Sequence, residues 1–199
     1  MERVFSYKLC RRPLTLPYPH RVHDQSTPLI PKLFMKIDPQ HSPELIQLGE
    51  LIEDMSVAML TTADDDGALM SRPMAPQEMD GDGAIWFFTE KNSAKTQHLE
   101  TANLSFIHAD HGTYVSISGH GVMHTNREHI QRLWTPFAKP WFPDGPNSPN
   151  LALLKFVPNA AEYWDAPHSK MVRMFAIAAS IVSGKPVGMG EHDTLTKLS

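Results

Sequence analysis

Short apolar runs, broken at close intervals by turn-forming clusters, are the feature that most restricts how this chain can fold. Asp64-Asp65-Asp66-Gly67, Gly81-Asp82-Gly83 and Asp110-His111-Gly112 each separate two such runs, which is the pattern of hairpins. The runs cover residues 57–63, 68–74, 84–89, 104–109 and 113–123, then 151–157 and the short 162–164. The second ends near Pro76. Most of the 17 prolines fall at segment edges, where a missing N–H does least harm to a sheet. No strand–helix alternation is long enough for a doubly wound parallel sheet. The expectation is a mainly β fold, a small six-stranded antiparallel barrel with peripheral helices.

The helices announce themselves by their caps. Ser42-Pro43-Glu44 starts one, with Leu45, Leu48, Leu51, Ile52 and Met55 at helical spacing as far as about residue 54. Ser93 caps a short helix to about residue 101, and Asn126 caps one carrying Ile130, Leu133 and Trp134. A helix over 169–182 is stopped by Gly184.

Charge divides the chain. Residues 1–34 hold six basic side chains against Glu2 and Asp24, with five prolines and no periodicity, whereas 35–199 hold 12 basic and 20 acidic. The first stretch reads as an irregular basic arm or an over-extended start, with a proline-rich strap over the domain as the alternative. Residues 35–183 read as the barrel domain and 184–199 as a C-terminal tail. A net charge of −4 argues against a general nucleic-acid binder. The single cysteine, Cys10, needs no oxidising compartment, and the longest mainly apolar run, 175–182, is too short to cross a bilayer. A cytoplasmic protein is expected.

The residues that carry chemistry lie on the aromatic strand and its neighbour. Trp86-Phe87-Phe88-Thr89 runs into Glu90-Lys91-Asn92-Ser93-Ala94-Lys95. There a helix N-terminus, a hydroxyl and a lysine make a phosphate site, against the plainer reading of an ordinary cap and a solvated lysine. Ser71-Arg72-Pro73-Met74 lies on the preceding strand. As one arm of a hairpin, that strand would turn Arg72 toward Thr89, so that Arg72 and Lys95 share one phosphate.

These segments, together with Tyr163-Trp164-Asp165, resemble in order and spacing the pyridoxamine 5'-phosphate oxidase-like family. The likeness is closest to its bacterial general stress proteins and spans about residues 42–170. It implies an FMN-binding split β-barrel, with FAD left open, and a homodimer holding flavin at the subunit interface. By the resemblance, Arg72, Ser93 and Lys95 hold the phosphate. Pro73 and Met74 lie along the isoalloxazine ring, Phe88 and Thr89 line the ribityl chain and ring, and Tyr114 and Trp164 close the groove from the second subunit.

Departures bear on activity. Gln77 stands where the oxidase has a lysine, Ala94 where it has an arginine, and Arg173-Met174-Phe175 lacks the histidine of its substrate-gripping element. The implied function is therefore a flavin-dependent redox step on an unknown small substrate, with no catalytic residue assigned. The alternatives are a flavin-binding stress protein without turnover, the oxidase proper, and a metal- or haem-binding barrel. The metal reading rests on His108, His111, His120 and His124. Because His120 and His124 stand about 13 Å apart along a strand, these histidines are read as solvated or structural, with no metal.

Overall fold

The computed structural model describes residues 34–93, 98–165, 191–196 and 198. The arm over 1–33, Lys95 and the helix over 169–182 lie outside them. The described elements are β1 (Lys36–Ile37), α1 (Pro43–Ile52), β2 (Ala58–Ala63), β3 (Leu69–Met74), β4 (Pro76–Met79) and β5 (Ile85–Glu90). They continue with β6 (Ala102–His108), β7 (Thr113–His124), α2 (Arg127–Leu133), a 3-10 turn at Pro136–Ala138, β8 (Leu151–Asp165) and β9 (Glu191–Thr196).

The nine strands form one sheet in the order β1-β4-β5-β8-β7-β6-β2-β3, with β9 added to β8. The long strands β7 and β8 make it a curled half-barrel. One edge of β8 pairs with β5 through residues 151–156 and with β9 through 160–165, while its other edge follows β7 from residue 153 onward. Between the two halves the ladder shifts register at Ser118/Gly119, leaving Asn159 as the extra residue of a bulge. A bulge bends a strand and tightens its twist, and here it lets one sheet wrap around its own core. Gly119 sits at that bend. An added Cβ would clash with the Val157 carbonyl and stand 2.8 Å from Cζ of Phe156.

The inward residues of both halves make the core, among them Leu60, Phe87, Leu104, Phe106, Ile117 and Phe156, all 0% exposed. Helix α1 adds Leu48 and Ile52 to it. Its start is as the sequence implies: Ser42 Oγ accepts from the Leu45 N–H at 3.2 Å, with Pro43 in the first turn. A second apolar cluster lies between the sheet and α2, where Trp86, Phe88, Ile130, Leu133, Leu151 and Leu153 meet.

The mainly β split-barrel class stands, and five expectations change. The sheet has nine strands among the described residues, not six, and the β1–β4 pairing is parallel. Strand β8 runs unbroken where two strands were expected. Pro158 falls in the interval 157–159, where β8 has a ladder neighbour on one edge only, so its missing N–H is tolerated. Residues 191–196, assigned to a tail, pair with β8 and bury Leu195. Residues 98–101 form bends rather than the end of a helix.

Candidate functional site

The aromatic strand β5 alternates strictly. Phe87 and Thr89 point to the barrel interior, and Trp86 and Phe88 to the α2 side. Thr89 is 0% exposed, and its Oγ1 has no hydrogen-bond partner among the described residues. A buried hydroxyl without a partner costs about 1–3 kcal/mol, and Gln40 Oε1 and Thr135 Oγ1 share that state among the described residues. The chain then turns, with Lys91 N–H bonded to the Asn150 carbonyl at 2.9 Å, and reaches a half-buried Ser93. Phe88 faces away from Thr89. The rings of Trp134 and Phe142 enclose it at 5.6 and 6.0 Å.

Arg72 lies on β3 opposite Leu60 and donates from Nη1 to Thr62 Oγ1 at 3.3 Å. The expected hairpin between the Arg72 strand and the Thr89 strand is not what forms. Strand β3 pairs with β2, and β5 lies between β8 and β4, with Pro76 of β4 opposite Phe87 and Glu78 opposite Trp86. The sequence pattern predicts a strand end near Pro76, just where β4 begins. The tight turn that follows explains the outcome. Asp80 Oδ1 accepts from the N–H groups of Asp82 and Ala84, Gly83 takes φ +81°, and β4 folds back on β5. Strand β3 is left as a sheet edge beyond β2. Along it Pro73 is exposed, and Met74 is buried in the main core.

Tyr114 and Trp164 are directly paired across β7 and β8 and are 46% and 43% exposed. Their row extends to Ile107 on β6, 57% exposed, and to His192 on β9, whose ring stacks on Trp164 at 4.9 Å. Two members of this row, Ile107 and His192, have no local motif. Only the register of the sheet brings them beside the aromatics.

Two further groups of charged and ring side chains stand elsewhere. Glu78 is 1% exposed and accepts from both terminal nitrogens of Arg132, at 2.6 and 2.8 Å, with His129 Nε2 at 3.4 Å. Nothing in the sequence links positions 54 residues apart. His108 and His111 stack at 3.8 Å. The ladder runs without a shift from Gly119 to His124, so His120 and His124 stay about 13 Å apart on one strand. Among the described residues no three His, Cys, Asp or Glu side chains gather as ligands for an ion, and no helix is long and apolar enough to cross a membrane.

A curled sheet of two halves sharing two long strands places the chain among the split barrels. Residues 44–187 match the family described as pyridoxamine 5'-phosphate oxidase like, and the chain belongs to that family. It is similar to protein bli-3 of Neurospora crassa, 28% identical over 161 residues that span 71% of this chain and 77% of that one. A crystal structure from Jannaschia sp. CCS1, assigned as a general stress protein 26, is 28% identical with a TM-score of 0.60, over 74% of this chain and 94% of the other. The general stress FMN/FAD binding protein of Xanthomonas citri is 32% identical with a TM-score of 0.53, over 62% and 89%.

Proposed function

We propose that this chain binds FMN in a groove between two copies of itself and supports a redox reaction on a small substrate. The observation that carries the reading is the buried Thr89 hydroxyl with no partner among the described residues, next to the 90–93 turn. The flavin bound by the Xanthomonas citri relative agrees with it. Arg72 offers a half-buried cation, already oriented by Thr62. The edge of β3 along Pro73 and Met74 offers backbone groups that no other described strand takes up. Tyr114 and Trp164, on an exposed face, would close the groove from the second copy. Lys95, outside the described residues, and Ser93 would complete the phosphate site. Phe88, enclosed under α2, would support the strand from behind. When bound, the flavin supplies the hydride or electron transfer, and the chain's part is to hold and orient it and to exclude water.

A second reading, a flavin binder without turnover, has one observation in its favour. Gln77, at the position of the oxidase's lysine, turns its amide back onto the Ala75 carbonyl at 2.9 Å. It offers no cation to a phosphorylated substrate.

Titration of the apo-protein with FMN, FAD and pyridoxal phosphate, read by flavin fluorescence quenching, tests both readings. FMN binding without pyridoxal phosphate binding is expected. Steady reduction by a nicotinamide donor separates enzyme from binder. In the double variant Arg72→Ala/Lys95→Ala, loss of charge-assisted bonds to the phosphate should weaken FMN by about 3 kcal/mol, roughly a hundredfold. Unchanged affinity in the folded double variant would place the phosphate elsewhere.

A further inference from the structure

Trp86 stands in a cluster of titratable side chains that the flavin reading does not use. One cross-strand row on the outward face runs Lys36, Glu78, Trp86, Lys155 and Val122. Helix α2 covers its centre. The His129 ring lies 4.3 Å from the Trp86 ring, and Arg132 grips Glu78. His124, from the end of β7, meets the same indole edge-on at 5.0 Å.

The three carboxylates here are already engaged. Glu78 takes Arg132 and His129, with Lys36 at 3.6 Å, and Lys36 in turn pairs with Asp38. The Arg132 hydrogen bonds hold its carboxyl below the usual range, so it stays ionised and anchors α2. Asp80 accepts from the Trp86 indole N–H at 2.8 Å and pairs with Lys155 at 3.5 Å. Around the indole that His124 meets stand Lys155 from β8, its Nζ 5.3 Å from the Trp86 ring, and His129 from α2 at 4.3 Å. Burial first, then Lys155 and His129, push the His124 imidazole below its ordinary value.

We infer that His124 is the trigger of an acid-sensitive clasp. Helix α2 docks on the sheet while that imidazole is neutral, and charging it beside Lys155 and His129 drives α2 off Trp86. Lys155 is fixed in a central strand, so α2 is the part that yields. With seven residues it has little helical stability of its own, and it relies on Ile130, Leu133 and the Glu78 anchor. The segment after it carries Trp134 and Phe142, the two rings that cover Phe88. Undocking uncovers the back of β5. The inference does not depend on the flavin reading.

The direction follows from linkage. In the undocked form His124 titrates near its ordinary 6.5, and in the docked form it takes a proton only at lower pH. Docking is at full strength above pH 6.5 and weakens as the pH falls from there through the docked-form value. Glu78, lowered from 4.5, keeps its contribution above its ordinary value and loses it only in stronger acid. The clasp opens before the anchor is protonated.

Hydrogen exchange on the full chain at about pH 7.5 and about pH 5.5, corrected for intrinsic exchange, tests this. Residues 127–142 should lose protection several-fold on acidification while β6 and the first half of β7 keep theirs. His124→Gln should abolish the loss, and Lys155→Gln should shrink it. Equal protection of 127–142 at both pH values would overturn the clasp, as would the same loosening in both variants. Uniform loss across the whole chain would overturn it too.

Discussion

At the scale of single residues, the largest electrostatic stake is Glu78. The carboxylate is 1% exposed, and its strongest partner, Arg132, is half exposed. Burying a charge is tolerable only while it is paired, and removing one partner leaves the other uncompensated. Arg132→Met keeps the apolar stem but deletes both bonds, leaving Lys36 and His129 as the remaining partners. We expect a loss of about 3 kcal/mol in urea unfolding at neutral pH, with much less lost when Glu78→Gln is already present. Equal losses in the two backgrounds would mean that the pair contributes nothing as a pair. Thr89 is the converse case, a buried hydroxyl with a bond still to make. Its place beside a flavin is implied by the family resemblance alone, because a threonine at the end of a strand is ordinary β sequence. Glu78 was not legible, since its partners come from α2 and β1 and no local pattern joins them.

Elements were legible where local chemistry decides them and obscure where a neighbour does. The Ser42 cap, the Asn126 cap and the Asp64 and Asp80 turns all act within four residues, through their own side-chain oxygens. Strand β4 follows β3 across the single residue Ala75, so no turn signal separates them. Strand β9 is polar at His192, Asp193 and Thr194 and takes its place from pairing with β8. The unbroken β8 is the clearest case, because Pro158 argues locally for an end while the bulge at Asn159 accommodates it. Gly119, opposite Pro158, is what allows the two long strands to cross closely at that bend. Gly119→Ala should therefore destabilise the fold by about 2–3 kcal/mol, since the Val157 carbonyl is backbone and cannot rotate away. A melting temperature equal to wild type would show that the bend relaxes more freely than this packing allows.

For the whole molecule, the decisive feature is the exposed face around Ile107, Tyr114 and Trp164. Three large apolar side chains in one cross-strand row are unusual on a surface that stays in water. The proposed dimer gives them a partner and gives the flavin its second wall. If both roles belong to one face, association and flavin binding are linked, and weakening one must weaken the other. Ile107→Asp separates the two roles, because this residue belongs to the face and has no assigned place against the flavin. The variant should run as a monomer in sedimentation at concentrations where the wild type is dimeric. Its FMN affinity should fall at least about tenfold, a cost of about 1.4 kcal/mol. Raising the protein concentration should restore both together. A monomeric Ile107→Asp that binds FMN as tightly as the wild type would place the whole site within one chain, leaving Tyr114 and Trp164 to some other partner.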